Sequence, residues 1–449
     1  MQKWLFSVTL AAALLFLPGA AAAQSSGVID LRDLKPRELK SAVFTLTAPQ
    51  NVRVEAIGSQ SQQEAGTWSW MTAMWKDKGS EQRDPWMGNA WILDLKSRRV
   101  VWELRTSTTE RGRRATRRFD GTVRLPAGTY EAFYAAFPEW ALSNADGKTN
   151  AGQRFLNWLH DAGLDDFRLT VNADHRLLAG AEAERARRDI DNGAVVTLRG
   201  DGVSKYLQAG FALERATEVE IHAAGEVRED GEFDAAWIIN ADTRAPVWKL
   251  TWRDSAPAGG AAKNRMNRFT KLLPAGRYAA FYATDDSHDP TAWNSPPPHD
   301  PHAWGVTVRV ADAGARATVK PFEYEHLPAA ATLVSLTRVG DSDTRSREFT
   351  LERAMDVRVY AIGEGTRRLV DYGWITNAAT QQKVWEMRYE DTVPAGGAAK
   401  NRLVDRVIRL EKGSYVVHYV TDDSHSFDEW NAPPPSDAQR WGITVARVK

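Results

Sequence analysis

Cysteine is absent from all 449 residues, and that absence removes several chemistries at once. No disulfide framework can staple the fold, no thiolate can hold a metal or act as nucleophile, and no lipidated cysteine can anchor the chain. An excess of one charge is lacking too. The 58 basic residues balance 58 acidic ones, which argues against a dedicated nucleic-acid binder. No apolar run is long enough to cross a bilayer as a helix. H-E-x-x-H and G-x-S-x-G are both missing, so two common hydrolase signatures are excluded.

What is present begins with a targeting pattern. Lys3, the apolar run from Leu10 to Leu17, then Pro18-Gly19 and Ala20–Ala23 read as a secretory signal peptide over residues 1–23. The expected destination is the periplasm or the extracellular space. With 43% apolar residues the remainder can bury substantial cores, and its length suits about three domains.

The later part of the chain is written twice. From Trp237 and from Trp374 the two copies run without a gap, and Pro257–Arg265 (PAGGAAKNR) recurs as Pro394–Arg402. Thr284–His288 (TDDSH) recurs as Thr421–His425. Trp293-Asn294-x-Pro-Pro-Pro and Trp304-Gly305 recur as Trp430-Asn431-x-Pro-Pro-Pro and Trp441-Gly442. A divergent third copy lies in front, marked by Trp91-Ile92, Val101–Leu104 and Pro126-Ala-Gly-x-Tyr130. The expected repeats span 28–173, 192–312 and 331–449. Segments 174–191 (helical) and 313–330 link them.

Within each copy the hydrophobic period is two. Trp248, Leu250 and Trp252 alternate with polar residues, as do Trp385, Met387 and Tyr389, and turn residues separate the short runs. This pattern predicts an all-β fold of tandem antiparallel sandwich or jelly-roll domains with little helix. Tyr278–Ala283, apolar on both faces, reads as a central strand. Helical spacing is confined to Gln153–Ala162 and an Ala/Glu/Arg-rich stretch at His175–Arg188.

The order F-x-L, V-x-V-x-A, hairpin, G-x-Y-x-x-x-Y and W-G-x-T-V resembles the exported β-sandwich modules called bacterial pre-peptidase C-terminal domains. The resemblance implies a module that assists binding or secretion beside an enzyme. Three tandem copies without a peptidase depart from that arrangement. TDDSH and WNxPPP have no counterpart in it, and it transfers no functional residues.

Three constellations carry candidate chemistry. The acidic loops place Asp285, Asp286 and His288 together, and likewise Asp422, Asp423 and His425. Clustered oxygens would suit calcium, although nothing in the pattern requires a cofactor. The competing reading is that these side chains hold a long loop by bonding its backbone. Trp293 with Asn294, and Trp430 with Asn431, precede stiff triple prolines and would make a stacking shelf for a sugar or peptide, or simply close the core. Lys263 and Arg265, with Lys400 and Arg402, would reach the acidic loops as an Arg–carboxylate latch or contribute to a ligand site.

The first copy differs. It carries an insertion, Thr67–Gly88, with Trp68, Trp70, Trp75 and Trp86, and a basic run from Arg98 to Arg124. Taken together, the residues predict a non-enzymatic binding or assembly module of the cell envelope, with an envelope polysaccharide or protein as partner and neither nucleic acid nor membrane span. The alternatives are a purely structural or protein-interaction role, and a secreted hydrolase with paired carboxylates.

Overall fold

The computed structural model describes residues 25–35, 37–60, 86–111, 116–137, 167–229, 231–324, 331–427 and 429–448. The signal peptide, Trp68, Trp70, Trp75, the helix expected at Gln153–Ala162 and Asp428 lie outside these residues. What is described is all-β, and the named strands pair antiparallel.

The second repeat shows the plan. One sheet runs in the order Ala194–Arg199, Gly305–Val310, Thr217–Arg228, Asn264–Leu273 and Ala256–Pro257. The other runs Pro246–Lys249, Ala235–Asn240, Gly276–Ala283, Tyr206–Leu213 and Val319–Phe322. Gly276–Ala283 is flanked on both sides, and Tyr278 to Ala283 are all buried, as two apolar faces require. The third repeat follows the same order, and its two sheets meet at one edge where Glu364 faces Asp371.

In the first repeat the strand Arg168–Leu178 serves both sheets. Val171 pairs with Val54 in one, and Leu178 pairs with Val43 in the other. Alternation of Leu169, Val171, Ala173 and His175 toward the interior keeps this stretch extended. The helix expected from His175 therefore starts only at Gly180 and ends at Arg187. In the second repeat the same edge is filled by the separate strand Val319–Phe322, within the segment read as a linker.

Two tyrosine positions make the same bonds in the front segment as in the two later repeats. Tyr130, Tyr278 and Tyr415 each donate a hydroxyl proton to a carbonyl four residues upstream, at 2.9 Å in every case. Four residues on, Tyr134, Tyr282 and Tyr419 donate across the sandwich to the carbonyls of Ile57, Ala224 and Ile362. The G-x-Y-x-x-x-Y spacing thus ties a turn and a sheet-to-sheet contact with one strand.

Candidate functional site

At one end of the second repeat the identical runs close into a knot around Asn264. Its side-chain amide donates to the carbonyls of Gly259 and Pro296, both at 2.9 Å, and its Oδ1 lies 2.6 Å from His288 Nε2. The donor role fixes the amide orientation, so His288 carries its proton on Nε2. His288 Nδ1 then faces Ser295 Oγ at 3.2 Å and Asn294 Oδ1 at 2.8 Å. Asn401 repeats the arrangement with Gly396, Pro433 and His425. Backbone bonds lace the same loops, from Ala261 N to Pro296 O and from His299 N to Ala258 O.

The local sequence is what this closure demands. Gly260 sits at φ +65°, and a Cβ there would lie 2.0 Å from Pro297 O. Gly397 is held in the same way by Pro434 O. Only glycine permits that approach. His288 and His425 themselves adopt φ of 60° and 57°, a left-handed conformation that costs a residue with a side chain about 1 kcal/mol or more.

The sequence-predicted site residues converge here, but not in the expected roles. Trp293 is 7% exposed and packs edge-on against Trp304 and His288, so it is core rather than a shelf. Trp430 makes the same contacts with Trp441 and His425. Asn294 and Asn431 are exposed, and they accept from Lys263 and Lys400 at 2.9 and 2.7 Å. The Arg–carboxylate latch does not form. Lys263 pairs with Glu226 and Lys400 with Glu364. Arg265 turns to Ser255 and stacks over Trp252, whereas Arg402 turns to Thr392 and Glu232. Alternation explains the failure: Asn264 points inward to the histidine, so its neighbours point away.

His288 and His425 are fully buried, with Nε2 committed to the asparagine, so only Nδ1 of each is left to serve as a ligand atom. Burial pushes the His288 imidazole well below its ordinary pKa, and His425 falls to about 4, so both are neutral. Asp286 and Asp423 are exposed at the loop surface. Asp285 and Asp422 turn inward, each capping its own loop by accepting the N–H two residues on.

Behind them lie carboxylates that sequence reasoning passed over. Asp234 is fully buried; it accepts from Asp285 N at 3.0 Å and from Trp304 Nε1 at 2.9 Å. Its counterpart Asp371 accepts from Asp422 N at 2.8 Å. Burial, reinforced by neighbouring carboxylates, raises Asp234 well above the ordinary value, Asp285 to about 7 and Asp371 to about 8. Asp234 and Asp371 keep the constant repeat offset, so the signal was three residues upstream of the aligned tryptophans. Glu226 and Glu364 were hidden by a one-residue difference in the intervening loop.

Apart from exposed residues such as Asp286, Asn294, Asp423 and Asn431, the loop ends meet a neighbouring repeat. The second and third repeats each dock this end onto the repeat before. Trp91 stacks on Phe133 at 5.1 Å and donates from Nε1 to His299 O at 2.8 Å. Arg98 pairs with Asp300, Glu103 meets His299 at 3.1 Å, and the buried Glu131 holds His302 and Arg187. Burial alone would raise Glu103, but the hydrogen bond and charge of His299 hold it down at about 2. The second joint reuses the platform. Trp237 stacks on Phe281 at 5.2 Å within a cluster that includes Val393 of the third repeat. Arg402, 1% exposed, crosses to Glu232, which also holds Lys249 at 3.0 Å.

No protein-family model matches this chain, and no curated protein is significantly similar to it. Function must therefore be argued from the geometry.

Two outcomes follow. Asn264→Ala strands His288 Nε2–H and the carbonyl of Gly259 in the interior and should cost about 2–3 kcal/mol in urea unfolding, with no change at an exposed control such as Asp286→Ala. The pH dependence has a definite sign. Asp371 and Asp285 hold protons in the folded state that the unfolded chain releases near 3.8. Their contribution is complete below that value and is lost as pH rises through about 7 to 8. Metal-free protein should therefore unfold at lower urea at about pH 8 than at about pH 5, and Asp371→Asn should flatten the difference.

Proposed function

We propose that the protein is an exported, non-enzymatic assembly module of the cell envelope, whose repeated loops are spent as joints between tandem sandwich domains. The observation that carries this reading is the placement of both knots against the preceding repeat, through Trp91, Arg98 and Glu131 in one case and Trp237 and Glu232 in the other. A loop buried in a joint satisfies a packing requirement, which accounts for identity in polar, Gly- and Pro-rich runs without a ligand. The N-terminal targeting pattern supports export, and among the described residues no helix is long and apolar enough to cross a membrane.

Docked in series, the repeats would keep a fixed relation and offer a long continuous surface to an envelope polysaccharide or protein. The first repeat, with its tryptophan-rich insertion and arginine run, is the part of the sequence most unlike the others and the natural partner-facing element. The resemblance to secretion-associated sandwich modules is compatible with this role.

Two measurements test the reading. Cell fractionation should recover the chain with the envelope or periplasm, beginning at Gln24 by mass spectrometry; intact residues 1–23 in the cytosol would contradict export. Trp293→Ala and Trp430→Ala should each destabilise the fold by about 3–5 kcal/mol. Loss of envelope retention with the melting temperature unchanged would instead restore the ligand shelf.

A further inference from the structure

The third repeat contains a feature that its twin has closed. Among the described residues, Glu364, Asp371 and Asp422 form the only group of three or more potential metal-ligating side chains whose ligand atoms all lie within 4.8 Å of one another. Each of the three has one oxygen engaged. Asp371 Oδ1 accepts from Asp422 N, Glu364 Oε1 meets Lys400 at 2.8 Å, and Asp422 Oδ1 accepts from Ser424 N. Two second oxygens are then left over inside the protein. Asp371 is 0% exposed and Glu364 8%, yet Asp371 Oδ2 and Glu364 Oε2 are buried without a hydrogen-bond partner. Buried acceptors rarely go unsatisfied, and a bare carboxylate oxygen is the most costly kind.

The second repeat supplies an internal comparison. There Asp234 Oδ2 accepts the indole proton of Trp304, so both its oxygens are occupied. In the third repeat that bond is not made, and Trp441 Nε1 and Asp371 Oδ2 are both unpartnered. The surrounding charge differs in the same sense. Val203 and Lys205 of the second repeat are replaced by Asp341 and Asp343, on loops fixed by equivalent bonds from Ser204 N to Asp285 O and Ser342 N to Asp422 O. Asp341 Oδ1 is a further buried, unpartnered oxygen.

We propose that the third repeat binds one hard divalent cation of the calcium class through Glu364, Asp371 and Asp422, with Asp341 as a fourth acidic neighbour, and that the second repeat does not. The donor set is all oxygen, which selects a hard ion over zinc or copper. The three carboxylates outnumber the single ammonium of Lys400, and Asp341 adds a further negative group, so the cluster attracts a divalent cation. Asp422 is only half-buried, so water can reach the ion and complete its shell. This site differs from the sequence expectation, which paired Asp422 with Asp423 and His425. It is also independent of the envelope role, because either can fail without the other.

The test uses the full mature chain, stripped with chelator and titrated with calcium chloride by calorimetry and thermal melting. One equivalent should bind and raise the melting temperature, more strongly at about pH 8 than at about pH 5, where protons compete. Asp371→Asn keeps the bond from Asp422 N, and Glu364→Gln keeps the side-chain volume. Each should weaken calcium binding by about tenfold to a hundredfold or abolish it. Asp234→Asn, at the equivalent place in the second repeat, should leave it unchanged. Absence of heat and of any melting shift would overturn the proposal. So would binding that survives both third-repeat variants, or that falls with Asp234→Asn.

Discussion

The hydrogen bond between a buried asparagine and a buried histidine organises each knot and, through it, the chain. Asn264 and Asn401 spend every polar atom of their amide on two carbonyls and one imidazole, in loops that otherwise have no regular pairing. The backbone bonds already lace the glycine turn to the proline segment, and the amide adds the acidic loop through its histidine. With it they become one rigid end. The left-handed histidine conformation is the strain that this arrangement holds in place.

Rigidity at the loop end has a consequence one level up, because that end is the surface each repeat offers to its predecessor. The receiving platform is a tryptophan stacked on an aromatic partner: Trp91 on Phe133, then Trp237 on Phe281. In the last repeat the same positions hold Trp374 and His418, still stacked at 4.9 Å. The position of Arg98, which grips Asp300, becomes Arg244 and then Gln381. On the third platform phenylalanine has thus given way to histidine and arginine to glutamine. Arg402, buried at the second joint, forms an ion pair with Glu232. Removing one partner of such a pair would leave the other charge buried alone.

Much of this was legible in the sequence. Alternating residues announced an all-β fold, Tyr278–Ala283 announced its central strand, and identical loops announced the end of the sandwich where they meet. Their roles were not legible, because charged side chains drew attention that belonged to the amide between them. Lys263 and Arg265 flank Asn264, and strand alternation sends all the chemistry inward through the uncharged residue. Trp293 read as core more readily than as a shelf, but its exposure depends on where Trp304 and His288 arrive from elsewhere in the chain. The joints could not be read at all. Glu131, Asp300 and Glu232 are ordinary surface-type residues in the sequence and become partners only once one repeat is laid on another.

The central claim is that the repeated loops hold neighbouring repeats in a fixed relation. The cysteine-free chain allows a direct measurement: spin labels on single cysteines at Lys271→Cys and Glu352→Cys, both exposed, report the distance between the second and third repeats. The account predicts one narrow distance distribution that broadens when Arg402→Ala removes the ion pair to Glu232. A broad distribution in the chain with Arg402 intact would show that the repeats move independently and that the repeated loops are not joints.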